Sequence, residues 1–319
     1  MSLAECKFVW KNGAMVPWEE ARFHVSCHGL HYGTGVFEGI RCYNTMQGPA
    51  VFRLGAHLDR WFASARVYGM EWRYTRQDLS RAVLQVIRVN EFRDCYVRPI
   101  AFYGAHSLSL NPRGCPVEVV IFAWPWGTYL GTDALEHGIR VSISNWRKFS
   151  TDAIPATAKA CGQYVNSVLA IRQAAAGGFD EAILIDDTGA LAEGSGENLF
   201  LVRDGHVFTN DERSSILPGI TRDSVIRLAK DIGFPVHIQQ MELDDLFKAD
   251  EAFFAGTAVE VAPIATVDKQ QIGSGKRGPI TTALQEAFFG VVYGKNLRYL
   301  DWLTYASWAK EDPVETPAE

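Results

Sequence analysis

A stretch rich in glycine and proline at residues 125–138 (PWGTYLGTDALEHG) interrupts the pattern of strands and helices in this chain of 319 residues. Its residues that break regular structure are Pro125, Gly127, Gly131 and Gly138. One hydrophobic core rarely serves so long a chain, so two compact domains are expected. We predict a smaller N-terminal domain at 1–124, an interdomain loop at 125–138 and a larger domain at 139–319.

The first part of the chain has the turn and periodicity signals of an α+β domain. Asn12-Gly13 predicts a tight hairpin within 8–18. Thr75 and Asp78 have the spacing of a capping box and predict a helix that begins at about residue 76. The other predicted elements are strands within 36–54, a helix at about 55–69, and strands at 95–103 and 117–124. Together they indicate an antiparallel sheet with helices.

The second part alternates apolar strands with amphipathic helices. Strands are predicted at 139–145, 181–186, 198–203, 206–209, 235–239, 251–255 and 259–267. A helix that follows residues 153–163 is expected to have Tyr164, Val168, Ile171 and Ala175 on its inner face. The helix that begins at Ile220 and a late helix have as their expected inward residues Val225, Leu228, Ile232, Ile280, Leu284 and Phe288. The polar tail at 310–319 is expected to be disordered.

The composition excludes several classes of protein. Hydrophobic residues make up 47% and charged residues 21%, as in ordinary globular domains. A net charge of -6 argues against a nucleic-acid partner. No apolar run approaches the ~18 residues of a membrane helix, and the N-terminus lacks the layout of a signal peptide. We therefore expect a cytoplasmic protein with no membrane or nucleic-acid partner.

A few residue clusters suggest disulfide or metal chemistry but fit it poorly. The six cysteines are scattered without a C-x-x-C pair, so neither a disulfide framework nor a cysteine zinc site is indicated. His24, His28 and His31 lie close together with Cys27, yet no second ligand cluster with zinc spacing follows. We expect these histidines to serve packing and hydrogen bonding, and we predict no metal.

Lys159 is the residue whose surroundings most favour chemistry. It is the only charged residue between Asp152 and Arg172, and its neighbours are alanine, threonine, cysteine and glycine. Partial burial among small residues disfavours the ammonium form and lowers the pKa of a lysine. A lysine with a lowered pKa can form a Schiff base. The alternative is a lysine whose amine reaches solvent.

Three glycine-containing segments add weaker signals. Gly219-Ile220-Thr221 begins a predicted helix, where backbone amides can bind a phosphate. Gly256-Thr257-Ala258 lies between two strands and could form a second backbone cradle. Glu193 and Glu197 flank a small-residue loop, where a carboxylate could pair with a pyridinium nitrogen. Each is also compatible with an ordinary cap or turn, but a phosphate site, a lysine and a carboxylate together suggest pyridoxal 5'-phosphate.

The motifs of the chain resemble those of fold-type IV aminotransferases, and specifically the branched-chain amino acid aminotransferases of bacterial type. In chain order the motifs are HGLHYGTGVFEGIRCY at 28–43, YVRP at 96–99, FAWPWGTYLG at 122–131, IPATAKACGQY at 154–164, LAEGSGENLF at 191–200, LPGITRD at 217–223 and AGTAVEVAP at 255–263. The resemblance implies an α+β fold of two domains. The smaller N-terminal domain would be an α/β sandwich, the larger C-terminal domain a β barrel with helices, and pyridoxal phosphate would bind in the cleft between them.

The resemblance also implies roles for individual residues around the cofactor. Lys159 would form the Schiff base, Glu193 would face the pyridine nitrogen, and Tyr164 would hydrogen-bond the ring oxygen. The phosphate would be bound by Arg60 and by residues near the two backbone segments, which are Leu217, Gly219, Ile220, Thr221, Gly256 and Thr257.

For the substrate, the resemblance implies an apolar pocket with a carboxylate-binding end. Phe37, Trp126 and Tyr129 would surround an aliphatic side chain, with Gly39 beside them. The carboxylate groups of leucine and glutamate would be recognised by Tyr96, Arg98, Thr257 and Ala258. The reaction implied is reversible transfer of the α-amino group of L-leucine, L-isoleucine or L-valine to 2-oxoglutarate.

Assembly and specificity follow from the resemblance less directly. Tyr32 and the loop at 105–110, which includes Leu110, resemble residues lent by a neighbouring subunit, so a homodimer is expected as the minimal unit and a hexamer is left open. That loop, AHSLSL, departs from the glycine- and methionine-rich version of bacterial members, which leaves the preference among leucine, isoleucine and valine open. Other functions of the same fold remain alternatives: a D-amino acid transaminase, an aminodeoxychorismate lyase or a non-catalytic ligand-binding protein.

Overall fold

The computed structural model describes residues 6–127 and 132–306 of the chain. Its strands, in chain order, are β1 (Phe8–Lys11), β2 (Ala14–Pro17), β3 (Gly35–Phe37), β4 (Ile40–Thr45), β5 (Gly48–Phe52), β6 (Cys95–Tyr103), β7 (Val117–Pro125), β8 (Ile139–Ile143), β9 (Glu181–Ile185), β10 (Leu191–Gly194), β11 (Asn198–Arg203), β12 (His206–Thr209), β13 (Val236–Ile238), β14 (Glu251–Gly256), β15 (Glu260–Val267), β16 (Gln270–Gln271) and β17 (Leu303–Tyr305). The α-helices are α1 (His28–Tyr32), α2 (Leu54–Val67), α3 (Arg76–Val89), α4 (Thr132–His137), α5 (Tyr164–Ala176), α6 (Ile220–Asp231), α7 (Leu243–Phe247) and α8 (Pro279–Val292). Short 3₁₀ helices lie at Trp18–Glu20, Cys161–Gln163, Glu212–Ser214 and Leu297–Trp302.

The described residues divide into two compact units. The first unit consists of 6–127, 158–162 and 291–306, and the second of 132–157 and 163–290. The predicted division, with one continuous domain at 139–319, differs from this one, because two later segments return to the first unit. Ala160 bridges to Val36, and β17 pairs with β5. The predicted interdomain loop also contains a helix, α4.

The first unit is built on an antiparallel sheet, as the sequence predicts. Its strand order is β17-β5-β4-β6-β7-β1-β2, and β3 pairs with β6. The predicted hairpin turns at Asn12 and Gly13, both with positive φ (52° and 102°), which suits a two-residue turn. The capping box of α3 is also confirmed, because the Asp78 amide donates to Thr75 and the Thr75 amide donates to Asp78.

Helices α2 and α3 supply much of the apolar core of the first unit. The side chains that they bury most completely are Leu58, Trp61, Leu79, Val83, Val86 and Ile87. They pack with residues from the sheet in one continuous cluster. This packing leaves one side of α2 facing polar groups of the site described below.

The second unit contains a larger, curled mixed sheet. Its strand order is β10-β9-β8-β15-β14-β11-β12-β13, with β16 paired to β15. Three pairs are parallel, β15 with β8, β8 with β9, and β12 with β13, while the other pairs in this sheet are antiparallel. No helix within 6–127 and 132–306 is long and apolar enough to cross a membrane.

The predicted inner face of α5 is wrong. The helix buries Ser167, Ala170 and Ala174, whereas Val168 is 50% exposed and Ala175 is also exposed. Small side chains let the helix approach β8 and β9 closely, so its apolar pattern does not mark its buried side. Likewise Ile232, expected inward, follows the end of α6 and is 43% exposed. The tail at 310–319 lies outside the described residues.

Candidate active site

The backbone around Lys159 is fixed by several hydrogen bonds within the first unit. The Lys159 amide donates to Ser64 Oγ (2.9 Å), and the Lys159 carbonyl accepts from the Phe37 amide (3.0 Å). The Gly162 amide donates to the Gly33 carbonyl (3.1 Å). A Cβ on Gly33 would lie 2.7 Å from Gly162 Cα, so the two backbones approach as closely as glycine allows. These contacts therefore fix the position of the Lys159 backbone.

The Lys159 amine has the electrostatic surroundings that the sequence suggests. Burial, followed by the charge of Arg60, lowers the pKa of Lys159 to about 8, while the charge of Glu38 acts in the opposite direction. Its Nζ lies 5.1 Å from the centroid of the Phe37 ring. A substantial fraction of the amine is thus neutral near pH 8 and can act as a nucleophile or a base.

Arg60 is held by a buried carboxylate that the sequence reasoning missed. Arg60 Nε donates to Glu38 Oε1 (2.7 Å), Arg60 Nη2 donates to Glu38 Oε2 (2.9 Å), and His57 Nδ1 lies 2.7 Å from Oε2. Glu38 is fully buried, which by itself would raise its pKa, but Arg60 and His57 outweigh burial and hold the pKa of Glu38 well below its usual range. Burial lowers the pKa of His57. Glu38 is therefore a fixed anion that orients Arg60.

His57, Arg60 and Ser64 form one polar side of α2. Their spacing of three and four residues places them on a single helix face. This spacing is a signal in the sequence that could have indicated a common polar partner. The face contacts Glu38 through two of its residues and the Lys159 backbone through the third.

An aromatic cluster in the first unit surrounds Arg98. The Arg98 guanidinium lies 4.7 Å from the centroid of Phe37 and 5.6 Å from that of Tyr96. Tyr96 packs against Trp126 at 4.8 Å, and a Cβ on Gly39 would clash with the Tyr96 hydroxyl. Gly39 thus makes room for this phenol. In the described part of the chain, Arg98 has no carboxylate partner, and its buried Nε has no acceptor.

Glu193 lies at the centre of a polar cluster in the second unit. Its Oε1 accepts from Lys148 Nζ (2.6 Å), and its Oε2 accepts from Asn198 Nδ2 and the Leu217 amide (3.1 Å each). Lys148 and Glu193 are both buried, with side chains 9% and 8% exposed. The carboxylate therefore has a defined orientation. The sequence analysis assigned no role to Lys148 or to Asn198; Asn198 lies in the motif at 191–200, and Lys148 lies in none of the motifs.

Asn198 also connects this carboxylate to the beginning of α6. Its Nδ2 donates to the Leu217 carbonyl (2.9 Å), and a Cβ on Gly219 would clash with its Oδ1. Gly219 is the N-cap of α6, and no side chain within the described residues caps this helix. The first amides of α6, at Ile220 and Thr221, are thus suited to an anion. The Asn198 side chain thus contacts both Glu193 and the backbone that precedes α6.

Two further groups of predicted residues lie elsewhere in the second unit. Gly256, Thr257 and Ala258 form the turn between β14 and β15, where a Cβ on Gly256 would lie 3.1 Å from Glu197 Cγ. Tyr164 is the first residue of α5 and is partly buried. Tyr129 lies outside the described residues.

Tyr32 and Leu110 belong to a separate surface of the first unit. The Tyr32 hydroxyl donates to the Leu108 carbonyl (2.7 Å), and the side chains of Tyr32 and Leu110 are 43% and 80% exposed. His28 contacts Thr34 and the Ser109 carbonyl, while His24 and His31 bond to other groups. The three imidazoles thus have separate partners. Within the described residues, no group of three or more histidine, cysteine or carboxylate side chains could hold a metal.

The residues present fit pyridoxal phosphate. Within the first unit lie the Lys159 amine, with its lowered pKa, and the oriented guanidinium of Arg60. Within the second unit lie the anchored carboxylate of Glu193 and the uncapped N-terminus of α6, a helix of 12 residues. The absent Cβ of Gly219 leaves room for the Asn198 side chain beside that helix end. Each unit brings together its own group of predicted site residues.

The chain belongs to the class IV aminotransferases, since the sequence model of the amino-transferase class IV family matches residues 35–267. Its similar curated relatives are branched-chain-amino-acid aminotransferases. Those of Pseudomonas aeruginosa and Escherichia coli K12 are each 44% identical, over 93% and 95% of this chain and 96% and 98% of theirs.

Solved structures give the same result. The Escherichia coli branched-chain amino acid aminotransferase has a TM-score of 0.93 and 44% identity, covering 95% of this chain and 100% of that one. A thermophilic archaeal branched-chain aminotransferase, from Thermoproteus uzoniensis with norvaline, has a TM-score of 0.90 and 41% identity, covering 95% and 100%. Another branched-chain amino acid aminotransferase, solved with pyridoxamine 5'-phosphate, has a TM-score of 0.93 and 47% identity, covering 95% and 99%. The expected α+β fold of two domains is confirmed.

Proposed function

We propose that the protein transfers the α-amino group of L-leucine, L-isoleucine or L-valine to 2-oxoglutarate with pyridoxal 5'-phosphate as cofactor. The observation that carries this proposal is the Lys159 amine, whose pKa of about 8 arises beside the oriented guanidinium of Arg60. The named activity of relatives with 44% identity over most of the chain supports the substrate class.

Arg60 and a few residues of the second unit would bind and orient the cofactor. Arg60 and the amides of Ile220 and Thr221 would bind the phosphate, with Leu217, Gly219, Gly256 and Thr257 shaping the backbone around it. Glu193 would hydrogen-bond the ring nitrogen and keep its proton in place, and Tyr164 would hydrogen-bond the ring oxygen. The bound cofactor supplies an acceptor for the electrons released at the substrate α-carbon.

Lys159 would move the proton in each half-reaction. Its neutral amine would accept the α-proton of the amino acid as a general base, and the resulting ammonium group would later give up a proton as a general acid. The pKa of about 8 suits both roles near neutral pH. Because the 2-oxo acid formed from the donor leaves before 2-oxoglutarate binds, we expect ping-pong kinetics with parallel double-reciprocal lines.

One substrate site would accept both aliphatic and acidic side chains. Phe37, Trp126 and Tyr129 would contact the aliphatic group, with Gly39 leaving room for Tyr96. Arg98, which has no carboxylate partner in the described residues, would bind the side-chain carboxylate of glutamate. The α-carboxylate would bind near Tyr96 and the backbone of Thr257 and Ala258.

We also propose a homodimer as the minimal assembly, with a hexamer as a possible higher state. The exposed side chains of Leu30, Tyr32 and Leu110 support an interface at this surface, since such apolar groups are usually covered. Molar mass measured by light scattering tests the assembly. The free amino acids and oxo acids proposed as reactants fit the cytoplasmic location expected from the sequence.

A visible absorbance spectrum of the purified protein tests the proposed function. We expect a band from bound pyridoxal phosphate that changes to the spectrum of pyridoxamine phosphate when L-leucine is added, and changes back with 2-oxoglutarate. Lys159→Ala should lose this response and nearly all turnover. A response only to D-alanine, or turnover only of aminodeoxychorismate, would replace the substrate assignment. Failure to bind pyridoxal phosphate would refute the proposal as a whole.

A further inference from the structure

Lys148 is a buried cation that the proposed reaction does not yet use. It follows β8, and its backbone amide donates to the Ile185 carbonyl (2.8 Å), which fixes the residue beside β9. The Lys148 side chain is 9% exposed, and its Nζ lies 2.6 Å from Glu193 Oε1. A lysine so far from solvent in direct contact with a buried carboxylate requires an explanation, because burying such a pair is unfavourable without close hydrogen bonding.

The two oxygens of Glu193 differ in how many further hydrogen bonds each can accept. A carboxylate oxygen accepts about two hydrogen bonds. Oε2 already accepts from the Asn198 side chain and from the Leu217 amide. Oε1 accepts from Lys148 alone among the contacts within the described residues. A further donor, such as the protonated ring nitrogen of the cofactor, therefore finds its acceptor at Oε1.

We propose that Lys148 is a positioning residue that holds the Glu193 carboxylate turned so that Oε1 would meet the ring nitrogen of pyridoxal phosphate. This inference rests on the proposed function, and it assigns a residue for which the sequence offers no motif. Lys148 and the ring nitrogen would then both donate to Oε1, while the Asn198 side chain and the Leu217 amide donate to Oε2.

The other charges around Glu193 do not replace Lys148. Arg222 of α6 contributes to the field at Glu193. However, its guanidinium donates to the Asn210 carbonyl (2.6 Å) and contacts Thr209 Oγ1 (3.4 Å). Lys148 is thus the cation in direct contact with the carboxylate. Without it, the Glu193 carboxylate would keep two neutral donors among the described contacts, both at Oε2, and Oε1 would lose the donor that orients it.

Three substitutions separate charge from shape at position 148. Lys148→Met removes the charge and the donor but keeps a side chain of similar length. Lys148→Gln keeps a donor without the charge, and Lys148→Arg keeps both. Lys248→Met is the matched control, because Lys248 is an exposed lysine whose partner, Asp244, is also exposed. Each apoprotein is titrated with pyridoxal phosphate at several pH values.

We expect Lys148→Met to weaken pyridoxal phosphate binding by about 10–100-fold, the usual effect of losing the outer partner of a binding group. Lys148→Arg should restore the affinity, and Lys148→Gln should restore it only in part. If Lys148→Met does not fold, the comparison of Lys148→Gln with Lys148→Arg provides the same test.

A double-mutant cycle with Glu193→Gln decides between positioning and a merely structural role. In the Glu193→Gln background, Lys148→Met should change cofactor affinity little, because the charge that Lys148 holds is gone. An equal loss in both backgrounds would overturn the proposal, as would a Lys148→Met variant that binds pyridoxal phosphate with the affinity of the unaltered protein. An unaltered protein that binds no pyridoxal phosphate would instead refute the proposed function.

Discussion

Arg60 and Glu38 form a two-point ion pair in the interior of the first unit, with Nε–Oε1 and Nη2–Oε2 distances of 2.7 Å and 2.9 Å. The pair leaves Arg60 with a fixed orientation and leaves Lys159 with two opposing charges beside it. Glu38 therefore affects the charge state of the Lys159 amine and, under the proposed function, would also affect phosphate binding by Arg60.

Glu38→Gln should weaken the fold and the phosphate site together. Removing one partner of a buried pair costs about 3–5 kcal/mol, because the other charge stays buried. We expect a lower free energy of unfolding in urea and weaker binding of pyridoxal phosphate by the apoprotein. Asp59→Asn is the control, since Asp59 lies on the same helix in an exposed pair with Arg76 worth about 0–1 kcal/mol. Equal stability of the two variants would contradict this account.

The Lys159 amine should titrate at about pH 8 in the apoprotein. Because burial and then the Arg60 charge lower its pKa, the amine becomes reactive at lower pH than an ordinary lysine. Arg60→Met removes one of these causes and should move the midpoint upward. The measurement is the pH dependence of labelling at Lys159 by an amine-selective reagent, followed by mass spectrometry. A midpoint near that of exposed Lys248 would show that the amine is unperturbed.

Gly33→Ala should be more harmful than Gly69→Ala, although both glycines have nearly the same φ (65° and 63°). A Cβ on Gly33 meets Gly162 Cα at 2.7 Å, whereas a Cβ on Gly69 has only the Tyr103 hydroxyl at 3.8 Å. Both variants carry the strain of positive φ, about 1–2 kcal/mol. The additional loss in Gly33→Ala, measured as thermal stability and turnover, reports the contact that supports the Lys159 segment. Identical losses would mean that this contact matters little.

Arg98→Met should impair the acidic substrate more than the aliphatic one. Hydrogen bonds to charged groups contribute about 1.5–3 kcal/mol, so kcat/KM for 2-oxoglutarate should fall about 10–150-fold. The kcat/KM for L-leucine should change less, because its side chain makes no ion pair. The two half-reactions are measured separately by stopped-flow absorbance. A uniform loss for both substrates would place Arg98 outside the recognition of the side-chain carboxylate.

Features set by neighbouring residues were predictable from the sequence. The hairpin at Asn12-Gly13 and the capping box of Thr75 and Asp78 depend on contacts within a few residues, and both are confirmed. The inner face of α5 was not predictable, because its packing depends on small residues that carry little apolar signal.

The residues of the candidate site were likewise predictable only in part. Lys159 and Glu193 lie in motifs that the family resemblance identifies, but their partners are distant in sequence. Lys148 lies 45 residues from Glu193, and Ser64 lies 95 residues from Lys159. Such pairs arise only when the chain has folded, so no local pattern specifies them. The spacing of His57, Arg60 and Ser64 on α2 was the one available signal for the first-unit network.

The division of the chain among its two units has a consequence for folding during synthesis. The first sheet receives β17 from residues 303–305, next to β5 at 48–52, and the Lys159 segment from residues 158–162. N-terminal domains usually fold as they leave the ribosome, but this unit cannot be completed until almost the whole chain has been made. Contacts between such distant residues also slow folding. A fragment that ends at residue 127 would therefore lack both the edge strand β17 and Lys159.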